Sequence, residues 1–352
     1  INLFFKKQNM KKKSLNAKVK NRSYFIRFLK DKYIYSIYKK FEKNLKPKTK
    51  YIVAVSGGPD SLALAFFAKC YSILNNTNFY YYLVDHKLRK ESSSEAKVVT
   101  NLLKKINVNC KVLKWHGNKP KSNVQSVARY NRYLLLTNEC YKIKANHILL
   151  GHQMDDLNEN FFLRMMRGSG LKGLSSLDEF AETNTTIKLV RPLLSIEKKK
   201  LEKVSLRVFK FFVKDPSNKN ENFKRIRVRN LFKILENEGF DKKKLNLTIN
   251  NLKSANKALE FYTNNNILNN SFFNKNKKKI ILNKIFFNNP NEIILRSISK
   301  LIQKISKNYY PPRGKSINRL IFELKSETGV KKATLGRCIF EKTKETVIIS
   351  KE

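Results

Sequence analysis

The feature that most constrains this chain is the passage YIVAVSGGPDSLALAFFAK at residues 51–69. An aliphatic, β-branched run ends in Ser56-Gly57-Gly58-Pro59-Asp60-Ser61, and an Ala/Leu/Phe-rich segment resumes at once, which reads as strand, tight loop and helix. Such a unit suits phosphate. Gly57 and Gly58 permit positive φ and carry no Cβ, so backbone N–H groups can converge on phosphate oxygens at the start of the following helix. Ser56 and Ser61 add hydroxyls. A carboxylate at Asp60 would repel phosphate unless a divalent cation bridged the two, which points to Mg²⁺. The Gly-Lys-Ser/Thr ending of a Walker A loop is missing, so a different nucleotide chemistry is implied. Read alone, SGGPDS also fits a tight βα turn capped by Ser56 or Asp60; the full strand before it and the full helix after it favour phosphate binding.

The strand–helix alternation continues to about residue 215. A second strand at residues 79–85 leads into His86-Lys87-Leu88-Arg89, placing His86 and Arg89 at the carboxyl end of a parallel strand, where open α/β sheets bind ligands. A third strand is expected at 110–115, then a helix at 123–142 with Arg129 and Arg132 three apart on one face. That pair suits a triphosphate or a solvated basic face. A strand at 147–150 runs into GHQMDDLNE, where His152 and Asp156, and likewise Asp155 and Glu159, stand four apart on a helix's opening turns. Carboxylates clustered with a histidine suit metal binding and general-base work, although acids also favour helix N-termini through the macrodipole. Leu157, Phe161 and Met165 form a core stripe, after which Arg164, Arg167, Gly168, Ser169 and Gly170 make a basic, glycine-rich loop able to embrace an RNA backbone. Residues 188–194 read as the last strand, with Ser195 capping a helix that buries Leu201, Val204, Val208 and Phe211.

Three regions follow from this pattern. Residues 1–45 are a basic N-terminal extension with an amphipathic helix carrying Leu29, Tyr33, Ile37, Phe41 and Leu45. Residues 46–215 are an α/β domain with a parallel, Rossmann-like sheet. Residues 216–352 are mainly helical, basic and Asn-rich, ending in short strand-like runs at 334–340 and 346–350.

Charge sharpens the functional reading. Lys and Arg number 74 against 27 Asp and Glu, a net +47 spread along the whole chain, which attracts polyanions and above all nucleic acid. Cys70, Cys110, Cys140 and Cys338 stand far apart with no CxxC, against a zinc or iron–sulfur site and consistent with a reduced cytosolic setting. No apolar run approaches the roughly 18 residues of a membrane span.

SGGPDS resembles the PP-loop of ATP pyrophosphatases, which cleave ATP between its α and β phosphates and adenylate a substrate oxygen. With VDHKLR, ARYNRY, GHQMDD and Glu159, RMMRGSGLKGL, RPLL, and DPSN followed by Arg225 and Arg229, the order is similar to that in tRNA(Ile)-lysidine synthetases; YYPPRGKSINRL and ATLGRCIFEK extend the likeness towards the C-terminus. The resemblance implies a PP-loop catalytic domain followed by a tRNA-binding region. It implies adenylation at C2 of the wobble cytidine in the CAU anticodon of an isoleucine tRNA, then displacement of AMP by free L-lysine, so that codon reading shifts from AUG to AUA. Carried over, Ser56, Gly57, Gly58, Pro59, Asp60 and Ser61 with Arg129 and Arg132 hold ATP, and Asp60 also binds Mg²⁺. Asp60, His152 and Asp156 are catalytic, with Asp156 the general base. His86, Arg89, Arg167, Ser169, Lys172, Arg225 and Arg229 contact tRNA. A cytoplasmic, bacterial-type setting rather than an organelle is implied.

Gln153, where members often carry a second histidine, and Asn160, in place of threonine, depart from the family pattern, which weakens a metal role for position 153. A PP-loop tRNA thiolase would be expected to carry paired cysteines. A non-catalytic RNA-binding descendant would be expected to lose Asp60 or Asp156, and both are present.

Overall fold

In the computed structural model the described residues are 25, 27–88, 91–117, 120, 123–182, 186–213, 221–274, 279–307, 311–326, 329 and 331–352. The chain divides into two compact units, residues 1–247 and 248–352.

After helical residues at 25 and 27–29 and a turn at 30–31, unit one continues with helix α1 (Lys32–Glu42), whose first turn is capped by Asp31: its carboxylate accepts the N–H groups of Tyr33 and Ile34 at 2.8 and 3.3 Å. The stripe of Ile34, Ile37, Tyr38 and Phe41 is buried, as the four-residue spacing requires. Strand β1 (Tyr51–Val55), helix α2 (Pro59–Asn75), β2 (Phe79–Asp85), α3 (Ser92–Lys105), β3 (Cys110–Lys114), α4 (Val124–Ile143), β4 (His147–Leu149) and α5 (Met154–Met165) then alternate. A short α6 (Leu171–Leu174), the strands β5 (Phe180–Glu182) and β6 (Lys188–Val190), and the helices α7 (Lys198–Phe209) and α8 (Lys224–Asn237) complete the unit.

The sheet order is β3-β2-β1-β4-β6-β5, parallel throughout except for the antiparallel edge strand β5. Strand pleating divides β1 between two cores. Tyr51, Val53 and Val55 join the core of α2, α3, α7 and α1, where Phe66 and Phe67 meet Phe25, Tyr38 and Phe41; Ile52 joins Tyr82, Leu136, Cys140 and Ile148 on the opposite face. Helix α2 is therefore sandwiched between the sheet and other helices, which is why Leu62 to Ala68 is apolar all round and buried throughout.

Unit two centres on an antiparallel sheet, β7 (Ser271–Asn274), β8 (Lys279–Asn283), β9 (Lys332–Leu335), β10 (Cys338–Lys342) and β11 (Thr346–Lys351), in the order β7-β8-β11-β10-β9. Helices α10 (Asn291–Ser306) and α11 (Gly314–Lys325) cover a core of Ile294, Ile298, Leu301, Ile317, Phe340 and Ile349. Helix α9 (Lys242–Asn270) runs across the division between the units.

Several expectations need correction. Residues 334–340 are not one strand: Gly336 and Arg337, both at φ 63°, turn β9 back into β10. β5, β7 and β8 have no counterpart among the expected strands. β6 stops at Val190, because Pro192 cannot continue a ladder and residues 192–195 turn. Ser195 does not cap the next helix; Glu197 occupies that position. The expected boundary at 215 lies outside the described residues, and the compact division falls after Leu247, since α8 packs on α5 through Phe232 and Phe162 at 4.7 Å between ring centroids.

Candidate active site between the β1 and β4 loops

In the order β3-β2-β1-β4, the chain leaves β1 towards one side and β4 towards the other. Their carboxyl ends therefore diverge and open the crevice in which α/β sheets bind ligands. A cavity of about 180 Å³ lies there, lined by Ser56, Gly58, Asp60 and Ser61 from the first loop, by Gly151 and His152 from the second, and by Tyr82, Arg132, Tyr133 and Leu136 opposite. Two glycines permit close approaches, Gly57 to α3 and Gly151 to the first loop. A Cβ on Gly57, at φ +85°, would stand 2.4 Å from Val99, and one on Gly151 would stand 3.2 Å from the Ser61 backbone.

The first loop is held by Ser61. Its Oγ accepts the N–H groups of Ser56 and Gly57, each at 3.1 Å, and donates to Gly58 O at 3.0 Å. This corrects the expectation that the Ser61 hydroxyl is a free phosphate donor, and it occupies two of the amides assigned to the nest. What remains for an anion is the first turn of α2, which has no side-chain cap; the exposed Ser56 hydroxyl donates to Ser61 Oγ at 3.2 Å and reaches an anion only by rotating away from it. Asp60 sits in that turn. Burial, the charge of Asp156, and more weakly Glu202 and Asp155 push its carboxyl up to about 7 against the opposing charge of Lys198; its Oδ1 is buried without a hydrogen-bond partner among the described residues. A buried carboxylate with an orphaned oxygen suits a cation. Among the described residues no group of three or more His, Cys, Asp or Glu side chains could hold a metal alone, so a hard cation such as Mg²⁺ fits here only if phosphate oxygens share it.

The second loop is built by a reciprocal cap. Gln153 Oε1 accepts Asp155 N–H at 2.6 Å, and Asp156 Oδ2 accepts Gln153 N–H at 3.1 Å. Burial raises the Asp156 carboxyl, opposed by that hydrogen bond and by Arg225, Arg229 and Lys198. His152 Nδ1 accepts from Arg191 Nε at 3.2 Å. Burial and the surrounding arginines, Arg191 foremost, push the ring down to about 3. The ring is neutral across the physiological range.

Other expected residues are distributed unevenly. Arg132 lines the cavity, whereas Arg129 lies over the Tyr133 ring at 5.1 Å. Arg229 is not free for nucleic acid: it is bonded through Nε and Nη2 to Glu159 Oε1, both at 2.8 Å, and Glu159 is 1% exposed. His86 is half-buried, its ring nitrogens have no hydrogen-bond partner among the described residues, and burial with the nearby Arg132 charge lowers it to about 4. It is poorly placed for an RNA surface. Arg167, Lys172 and Arg225 are exposed, and Ser169 is half-buried on the loop joining α5 to α6. Arg89 and residues 215–218 of DPSN lie outside the described residues.

Sequence reasoning missed Tyr82, Tyr133 and Leu136 as the apolar wall, Lys198 as the cation acting on both Asp60 and Asp156, and Arg191 as the partner of His152. Only Arg191 carried a signal in sequence: an arginine inside the apolar run LVRPLL has to find a partner if it is buried.

Comparison with known proteins gives the chain's relatives. The family model described as a PP-loop domain matches residues 30–235. A tRNA(Ile)-lysidine synthase from Wolbachia sp. subsp. Brugia malayi is 34% identical over 307 residues, covering 86% of this chain and 70% of that protein. The enzyme of the same name from Wolbachia pipientis wMel is 33% identical over 304 residues, covering 85% and 70%. That from Orientia tsutsugamushi is 38% identical over 195 residues, but only 43% of its length is spanned. Among solved structures, a U34-tRNA thiolase from Methanococcus maripaludis superposes with a TM-score of 0.54 at 19% identity, over 65% of this chain and 80% of that one, a likeness of fold.

Proposed function

Since the chain belongs to the tRNA(Ile)-lysidine synthase family of PP-loop proteins, we propose that it uses ATP and free lysine to convert the wobble cytidine of a CAU-anticodon isoleucine tRNA into lysidine. The observation that carries this reading is the juxtaposition, at the sheet's switch point, of Asp60 on the uncapped start of α2 with Asp156 on the capped start of α5. In the first step the oxygen on C2 of cytidine attacks the α-phosphorus and pyrophosphate leaves. In the second the lysine amine attacks C2, a C–N bond forms, and AMP departs with the oxygen.

Each side chain has a part in these steps. The first turn of α2, and the Ser56 hydroxyl once rotated away from Ser61 Oγ, hold phosphate oxygens, Arg132 adds charge from the opposite wall, and Asp60 would hold the cation. Bound Mg²⁺ would neutralise phosphate charge. Asp156 takes the proton of the attacking amine, which is an ammonium at neutral pH with a reference pKa of about 10.4. A carboxyl raised by burial is better matched to that task than an ordinary one. Arg167, Lys172 and Arg225 belong to the tRNA contact, and the net charge of +47 supplies the attraction for its phosphates. The bacterial relatives support a cytoplasmic setting.

The test is incubation with ATP, labelled lysine and total tRNA, followed by nucleoside analysis. Lysidine in the digest is expected, together with pyrophosphate release and an AMP ester on the tRNA when lysine is withheld. A tRNA affinity that falls steeply with salt is expected alongside. Absence of label from the nucleosides, with tRNA bound tightly, would leave an RNA-binding protein without this chemistry.

A further inference from the structure

Arg191 is 4% exposed and follows β6 directly. A guanidinium taken so far out of water has to find acceptors, and two are given: Nη1 donates to Asp178 O at 2.7 Å, and Nε donates to His152 Nδ1 at 3.2 Å. Tyr133, which lines the cavity, is also close enough to interact with it. Arginine has no acceptor and does not give up its proton in proteins. The direction of the Nε contact is therefore settled, and Nδ1 of His152 must present a lone pair. A protonated imidazole has no lone pair and is excluded from this contact, as is the neutral tautomer with its hydrogen on Nδ1.

We propose that Arg191 is a positioning residue that locks His152 as a neutral imidazole with its proton on Nε2, so that His152 enters the reaction as a hydrogen-bond donor and not as a proton acceptor. The surroundings agree. The largest charges acting on His152 are Arg191, Arg129, Arg225 and Arg132, all cationic, and they outweigh Asp60 in the same cavity and Asp156 four residues on in disfavouring the imidazolium. His152 lines the same cavity as Ser56 and Asp60, and an Nε2–H there is suited to a phosphoryl oxygen, where charge builds up as pyrophosphate leaves. Base work is left to Asp156. The two polar residues placed together by sequence thus divide the labour, one as donor and one as acceptor.

The catalytic part of this inference rests on the lysidine-forming reading; the tautomer does not. Two-bond ¹⁵N–¹H correlation spectra of the ¹⁵N-histidine-labelled full chain suffice, because it has only four histidines and His152→Asn identifies the relevant signals by subtraction. A neutral ring with Nε2 protonated and Nδ1 bare, unchanged from pH 5.5 to 8, is expected. A proton on Nδ1, or titration within that range, overturns the proposal whatever the enzyme's activity. For the consequence, Arg191→Met should mix the two tautomers and lower kcat for pyrophosphate release at least tenfold, with KM for ATP changed less. Arg191→Lys, which retains one donor, should recover part of both. If Arg191→Met folds, as judged by circular dichroism, and keeps both the tautomer and kcat, Arg191 is not the locking group. If Arg191→Met does not fold, the wild-type spectrum decides alone.

Discussion

The loops after β1 and β4 both bend a parallel strand into a helix, and both use a side-chain oxygen to catch backbone N–H groups. In the first, Ser61 Oγ holds Ser56 and Gly57 from inside the helix; in the second, Gln153 and Asp156 hold each other's neighbourhood across the helix start. They differ in what is left over. The first loop leaves a helix start without a cap and a carboxylate with an orphaned oxygen, held near neutrality at about 7. The second leaves almost nothing open: its helix start is capped, Asp156 is tempered by three cations, and His152 has a fixed partner. One loop keeps polar groups for a ligand. The other is assembled in advance.

The largest expected effect tests the first loop. Asp60→Asn should abolish lysidine formation, measured by labelled lysine in tRNA, while circular dichroism shows an intact fold. A raised folded-state pKa also fixes the sign of the stability change. Between the unfolded value of about 3.9 and the folded value of about 7 the native state binds the extra proton, so wild-type stability declines as pH rises through that window. A displacement from about 3.9 to about 7 corresponds to at most about 4 kcal/mol. Urea titrations should therefore find Asp60→Asn more stable than wild type at pH 8 and equal to it near pH 4. A variant less stable at pH 8 would show that Asp60 is already satisfied in the free protein, and the contrast between the loops would disappear.

Next in size is Asp156→Asn. Asparagine's Oδ1 can still accept Gln153 N–H, so the cap survives and the chemistry is tested by itself. Discharge of a preformed adenylate by lysine should slow by roughly 10²- to 10⁴-fold, the usual worth of a general base, with a smaller effect on pyrophosphate release. Equal loss in both steps would make Asp156 a positioning group and move it to the same class as Asp60. ATP affinity must be unchanged for either reading.

What the chain reveals before folding follows the same divide. The β1 loop is contiguous, so SGGPDS shows its strand, turn and helix start directly, and Asp60 stands out as a carboxylate where phosphate is expected. The β4 loop shows its acids and its histidine but not their controls. Arg191 reaches His152 across 39 residues, Arg229 reaches Glu159 across 70, and Lys198 acts on carboxylates from two other helices; no periodicity encodes such contacts. The spacing that put Arg129 and Arg132 together on α4 did not separate them, although the fold gives Arg132 the cavity and Arg129 the Tyr133 ring. In unit two, β7 and β8 alternate too briefly, among lysines and asparagines, to be told from helix ends.

A smaller effect is expected from Ser61→Ala. It leaves the N–H groups of Ser56 and Gly57 without their acceptor, Gly57 being buried, which costs about 1–3 kcal/mol. The urea midpoint should fall, and ATP should restore part of the loss, because phosphate oxygens can accept what Ser61 released. No rescue by ATP would mean that the freed amides do not face the nucleotide.

The smallest effect belongs to Gln153, the position where family members often carry histidine. It is 2% exposed and serves as the N-cap of α5, its Oε1 accepting Asp155 N–H at 2.6 Å. Nothing places it on the cavity, whose lining from this loop is Gly151 and His152. Its work is to hold the loop's shape, and removing a cap costs about 0.5–2 kcal/mol. Gln153→Ala should accordingly lower the melting temperature by a few degrees, while kcat for lysidine formation stays within about threefold of wild type. The backbone N–H of residue 153 survives the substitution and still bonds to Asp156, so half of the reciprocal cap persists and the fold should hold. Comparison with Ser61→Ala completes the contrast: the same device is removed from each loop, and ATP should compensate only in the first. If Gln153→Ala instead lost catalysis a hundredfold with its stability unchanged, Gln153 would belong to the chemistry, and the β4 loop would keep polar groups for its substrates as the β1 loop does.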